Sequence, residues 1–139
     1  MSSLSVIESK ISAIKKYLKI LHGFKSFSQQ KMENDVIQKG AMERYLYLVV
    51  QATLDLAESI IAFKEFRRPT TYSENFYILE EENFITKELS RKLVNMAKFR
   101  NIIAHDYENV DFSVVYAALQ NNLVDIEGFI AEVKDKLNI

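Results

Sequence analysis

The chain has no cysteine, which removes disulfides, thiolate metal sites and a cysteine nucleophile together and suits a reducing cytosol. Three glycines and one proline in 139 residues are too few for a turn-rich β protein and point to long helices. No stretch approaches the ~20 apolar residues of a membrane span. The opening Met1-Ser2-Ser3-Leu4-Ser5 lacks the basic and apolar blocks of a secretory signal. A soluble cytoplasmic protein with no membrane association is expected. Basic excess is missing as well. At a formal net charge of −1 the chain lacks the positive charge by which nucleic-acid binders usually announce themselves. Any nucleic-acid contact must then be local, brief or spread over an oligomer.

What is present is ordinary globular material, 48% hydrophobic and 27% charged. The length fits one domain, residues 1–139, able to bury roughly two-thirds of its unfolded surface. Leu4, Ile7, Ile11, Ile14, Leu18 and Leu21 step by threes and fours, the seam of one amphipathic helix. His22-Gly23 reads as its end. Ser26 and Ser28 offer caps for a short turn, and Gly40 marks a kink. From Ala41 to about Lys64 a second seam carries Tyr45, Val49, Ala52, Leu56, Ile60 and Phe63. Phe66 to Tyr72, with Pro69, is a breaker. Ser73 caps a short helix with Phe76 and Leu79 that dissolves in Glu80-Glu81-Glu82, a solvated helix end with nothing nearby to complete a metal site.

Thr86 caps the next helix, whose seam Leu89, Leu93 and Met96 continues to Arg100 and Ile103. A polar loop is expected from about His105 to Val110. Asp111 then caps a final helix with Val115, Leu119, Ile126, Ile130, Val133 and Leu137. The pattern predicts an all-α, up-and-down bundle of four principal helices plus one short helix.

Arg100, at a seam position, is the first local anomaly. On a regular helix it stands about 140° from His105. The two can converge only if the helix ends or distorts between them, or if two copies of the chain face each other. The low-propensity residues after Ala104 favour a helix end there. A plainer account is open too: such an arginine often snorkels or pairs with a carboxylate, and such a histidine often caps a helix.

Arg100, four residues, His105, one residue, Tyr107 resembles the R-x4-H-x-Y signature of HepT-like HEPN ribonucleases, with the polar Asn101 after the arginine. Glu43-Arg44-Tyr45-Leu46, Gln51-Ala52 and Leu54-Asp55-Leu56-Ala57 resemble that family's second-helix pattern. Pro69, Tyr72, Glu74, Phe76 and Leu79 resemble its P-x2-Y-x-E-x-F-x2-L segment. The likeness runs in order from about Leu4 to Leu137.

It implies a HEPN-like bundle that forms a homodimer, with Arg100 and His105 of both subunits in one cleft and Asn101 in support. It implies RNA cleavage through the 2′-hydroxyl, without metal or cofactor, by the toxin of a type VII-like toxin–antitoxin system. It also implies a partner, an MntA-like minimal nucleotidyltransferase that silences the toxin by placing AMP on Tyr107. The chemistry suits the residue types: histidine can act as base or acid near neutral pH, and arginine can hold two phosphate oxygens. The alternative is a HEPN subunit that no longer cleaves and serves a nucleotidyltransferase complex as a binding or regulatory partner. Arg67 and Arg68 in the breaker are candidate RNA contacts. Lys87, Arg91 and Lys98 share a stripe about 200° from Arg100 and read as a solvated outer face.

Overall fold

The computed structural model describes residues 3–106 and 111–139, and these are helical throughout apart from turns. The elements are α1 (Leu4–Phe24), α2 (Gln29–Glu33), α3 (Val36–Phe63), α4 (Tyr72–Glu81), α5 (Lys87–Asp106), α6 (Phe112–Asn121) and α7 (Leu123–Leu137). The first seam is buried from Ile7 to Leu21. It packs on α3, which in turn meets α4 and α5, while α7 closes over α5 and α6. Inside, the Phe76 and Phe129 rings meet edge to face at 5.9 Å, a favoured aromatic geometry.

Caps explain most boundaries. Side chains of Ser3, Ser28, Asp35, Thr71 and Asp111 accept from backbone N–H groups of the first turns of α1, α2, α3, α4 and α6, donors that would otherwise lack partners. Thr86 does the same for α5, accepting from Leu89 N. The ends of α3 and α4 use no glycine. Glu65 and Asn83 take left-handed backbone, at φ 57° and 59°. Phe66 N then donates to Ile61 O and Phe84 N to Leu79 O, closing two Schellman ends.

Several boundaries differ from the sequence expectation. Gly23 lies within α1 and no glycine has positive φ, so it does not stop that helix. His22 is more than a helix end: its Nε2 lies 3.0 Å from Glu127 Oε1 on α7, tying the first helix to the last. The second long helix begins at Val36 and runs through Gly40, because Asp35 supplies a cap upstream. Thr71, in extended backbone, caps α4, and Ser73 sits inside it. The last helix is two, divided at Asn122 beside Asn121, where helix propensity is low. Burial of Ile103 anchors the last turns of α5, which carries His105 and Asp106 where a loop was expected.

By length and composition α3 is apolar enough to cross a membrane, but more than half of that window is buried in the bundle. It packs against α1, α2, α4 and α5.

Candidate active site

Position 100 lies on α5 where that helix meets α3 and the start of α4. The Arg100 guanidinium is half-buried and held from several sides. Its Nε donates to Gln51 Oε1 of α3 at 2.9 Å, and Nη1 donates to Asn101 Oδ1 at 3.0 Å. The Tyr72 ring lies 5.1 Å from it and the Tyr47 ring 5.6 Å, both within cation–π range. Gln51 Nε2 donates in turn to Asp55 Oδ1, one turn along α3, at 3.0 Å. That bond fixes which end of the amide faces the arginine. The Arg44 guanidinium sits 5.6 Å from the same Tyr47 ring, adding a second cation to this corner.

The partners that fix Arg100 are neutral. Among the described residues no carboxylate pairs with it, so its charge is oriented and, among those residues, uncompensated. A guanidinium in that state suits an incoming phosphate, which it can grip with two parallel N–H bonds. One turn beyond Asp55, loss of hydration around Glu58, with the Asp55 carboxylate nearby, holds its carboxyl above the usual range.

His105 belongs to the same unbroken helix, α5, so backbone positions 100 and 105 lie about 140° apart around its axis. The helix end that was expected to bring them together within one chain does not occur. Tyr107 lies outside the described residues.

Arg67 is committed inside the molecule. It donates to Glu81 through Nε and Nη2 at 3.1 and 3.2 Å and to Glu74 through Nη1 at 3.0 Å, pinning the segment after α3 onto α4. The guanidinium hydrogen bond holds the Glu81 carboxyl below its usual range. Arg68 is exposed and has no carboxylate partner among the described residues. Also among these residues, no three histidine, aspartate or glutamate side chains converge as a metal site.

Gln51, Tyr47, Tyr72 and Arg44 were not singled out from the sequence as site residues. Gln51, Tyr72 and Arg44 do fall in blocks that resemble the HepT-like pattern, whereas Tyr47 carried no signal. Gln51→Leu keeps the volume and removes the acceptor that aims Arg100. The RNA turnover that the HepT-like resemblance implies should fall on the order of tenfold, the loss of about one oriented hydrogen bond to a charged group. Melting should shift by only a few degrees. Turnover equal to the parent's in steady-state kinetics would show that Gln51 does not aim Arg100.

A family model described as Ribonuclease HepT-like matches residues 7–133. The mRNA nuclease HepT of Shewanella oneidensis is 29% identical over 129 residues, spanning 93% of this chain and 96% of its own length. The tRNA nuclease HepT of Aphanizomenon flos-aquae is 25% identical over 132 residues, spanning 95% and 90%. Among solved structures, a toxin–antitoxin crystal structure with AMP-PNP matches with a TM-score of 0.86 at 28% identity, over 94% of this chain and 98% of the other. A tri-AMPylated Shewanella oneidensis HEPN toxin in complex with MNT antitoxin matches at 0.84 and 28% identity, over 93% and 96%.

Proposed function

On the premise that this chain belongs to the Ribonuclease HepT-like family, whose model spans residues 7–133, we propose that it is the toxin of a toxin–antitoxin pair. In this reading it is a single-domain, cytoplasmic, metal-independent endoribonuclease, silenced when a partner nucleotidyltransferase transfers AMP to Tyr107. The observation that carries the reading is Arg100, aimed by Gln51 Oε1 at 2.9 Å and flanked by two tyrosine rings, with no neutralising carboxylate among the described residues.

RNA can be cleaved by its own 2′-hydroxyl. A base takes the hydroxyl proton, the oxygen attacks the adjacent phosphorus, and a 2′,3′-cyclic phosphate forms. The 5′-oxygen leaves with a proton from an acid. Arg100 stabilises the charge that builds on the phosphorane oxygens, and His105 serves in the proton transfers. Of the chain's two histidines, His22 is held against Glu127, which leaves one usable histidine per chain.

Base and acid together therefore require two chains. An unbroken α5 adds a reason: positions 100 and 105 lie on different sides of its axis, so the arginine of one protomer and the histidine of its partner can share a cleft. Apolar groups are available for such an isologous contact. Val36 and Ile37 at the start of α3 are 81% and 80% exposed, and Ile102 beside the motif is 45% exposed.

The purified protein, incubated with RNA in excess EDTA, should yield fragments ending in 2′,3′-cyclic phosphate. Full inhibition by EDTA, reversed by magnesium, would show a different mechanism.

A further inference from the structure

We propose that the groove between α4 and α5 is a single-stranded RNA-binding track that feeds the strand along α5 toward His105. The inference rests on the reading that this chain acts on RNA. The groove, about 330 Å³, is lined by Tyr77 and Glu80 of α4 and by Lys87, Arg91, Asn95 and Lys98 of α5.

Charge is the first argument. Lys87, Arg91 and Lys98 are exposed, and none has a carboxylate within ion-pair distance among the described residues. Lys92 on the same helix shows the contrast: it lies 3.6 Å from Glu88 and 3.9 Å from Asp125. One carboxylate, Glu80, lines the groove against three cations. In a chain of net charge −1 this is the local concentration of positive charge that an RNA contact needs.

Shape and direction are the second. Tyr77 is 50% exposed and offers a ring beside the cations, the combination by which proteins hold single strands: bases stack and phosphates pair. Positions 91, 98 and 105 are seven apart on one unbroken helix, so they drift only about 20° per step and share a face. Lys87 to Lys98 covers about 16 Å along the axis, and position 105 lies about 10 Å further on that face. The stripe faces away from Arg100, yet it leads to the histidine. A solvated outer face would need neither the tyrosine nor this alignment.

The test compares the full-length protein with a Lys87→Ala/Arg91→Ala/Lys98→Ala variant and with Tyr77→Ala. Binding of a fluorescent, 2′-O-methylated and hence uncleavable RNA 12-mer is followed by anisotropy over a range of salt. The triple variant should bind at least about tenfold more weakly at low salt, and its log Kd against log salt slope should shrink by about 2, near 0.7 per lost phosphate contact. Tyr77→Ala should weaken binding severalfold and leave the slope unchanged. On cleavable RNA the triple variant should raise KM for a 12-mer while turnover of a dinucleotide, too short to reach the track, stays at the parent's rate. Equal affinity and equal slope for parent and triple variant overturn the track. So does a triple variant that binds RNA normally but no longer binds its nucleotidyltransferase partner, which would make the groove a protein dock. Because the binding arm needs no cleavage, a parent that binds through this stripe but fails to cut RNA would refute the nuclease and keep the track.

Discussion

His105→Ala and Arg100→Ala should each abolish RNA cleavage, by at least about a hundredfold, the lower end of what one positioned proton-transfer group contributes. Growth inhibition on induction should disappear with it. The two variants differ in stability. Arg100 holds the Gln51 bond and the two tyrosine contacts, so its removal costs about 1–2 kcal/mol and lowers melting by a few degrees. Arg100→Lys separates charge from geometry. Lysine keeps the positive charge but has no planar fork for phosphate and no Nε–H for Gln51. It should therefore stay inactive or nearly so while melting close to the parent. If acid and base are the histidines of two chains, a dimer of one parent and one His105→Ala protomer should be inactive, so added His105→Ala protein should lower the parent's activity as mixed dimers form. Near-parent turnover in either alanine variant, measured by single-turnover cleavage, places the chemistry elsewhere.

Co-expression with the cognate nucleotidyltransferase, with ATP and Mg²⁺, should increase the mass of the protein by adenylyl groups and remove its ribonuclease activity. In the proposed reaction the Tyr107 hydroxyl would give up its proton to a base of the transferase, its oxygen would attack the α-phosphorus of ATP and pyrophosphate would leave, so a phosphodiester-linked AMP would stand two residues from His105 in the chain. Its phosphate would bring negative charge to the cleft proposed to bind phosphate, and its bulk would fill the place of the substrate. Tyr107→Phe keeps the ring and loses the acceptor oxygen. It should remain unmodified, and its toxicity should persist in the presence of the antitoxin. This expectation rests on the R-x4-H-x-Y spacing alone, since Tyr107 lies outside the described residues. Intact-mass measurement decides: adenylyl groups that persist on Tyr107→Phe, or none on the parent, remove Tyr107 from the regulatory role.

Much of the bundle was legible because apolar periodicity is a local property. The Ile7 to Leu21 seam, the caps at Ser28, Thr86 and Asp111, and the break around Pro69 follow from side-chain spacing and from which residues satisfy free backbone N–H groups. Boundaries were less legible where two signals competed. Gly23 looked like a stop, yet α1 ends without left-handed backbone. Ser73 looked like a cap, yet Thr71 stands in the extended conformation that a cap requires.

Sequence alone determined the helical class, the absence of thiol chemistry and the identity of the R-x4-H-x-Y residues, all properties of composition and short-range spacing. Only the tertiary structure decided what surrounds Arg100. Gln51 is 49 residues away in the chain, and Tyr47 and Tyr72 come from two other helices, so no periodicity could reveal that the arginine is fixed by neutral groups. The same holds for α5. Packing of Ile103 carries the helix through His105, which sets the arginine and histidine positions on different faces and aligns Arg91, Lys98 and His105 on one. Local propensity had favoured a loop there, because the side chains that override it are supplied by helices distant in sequence.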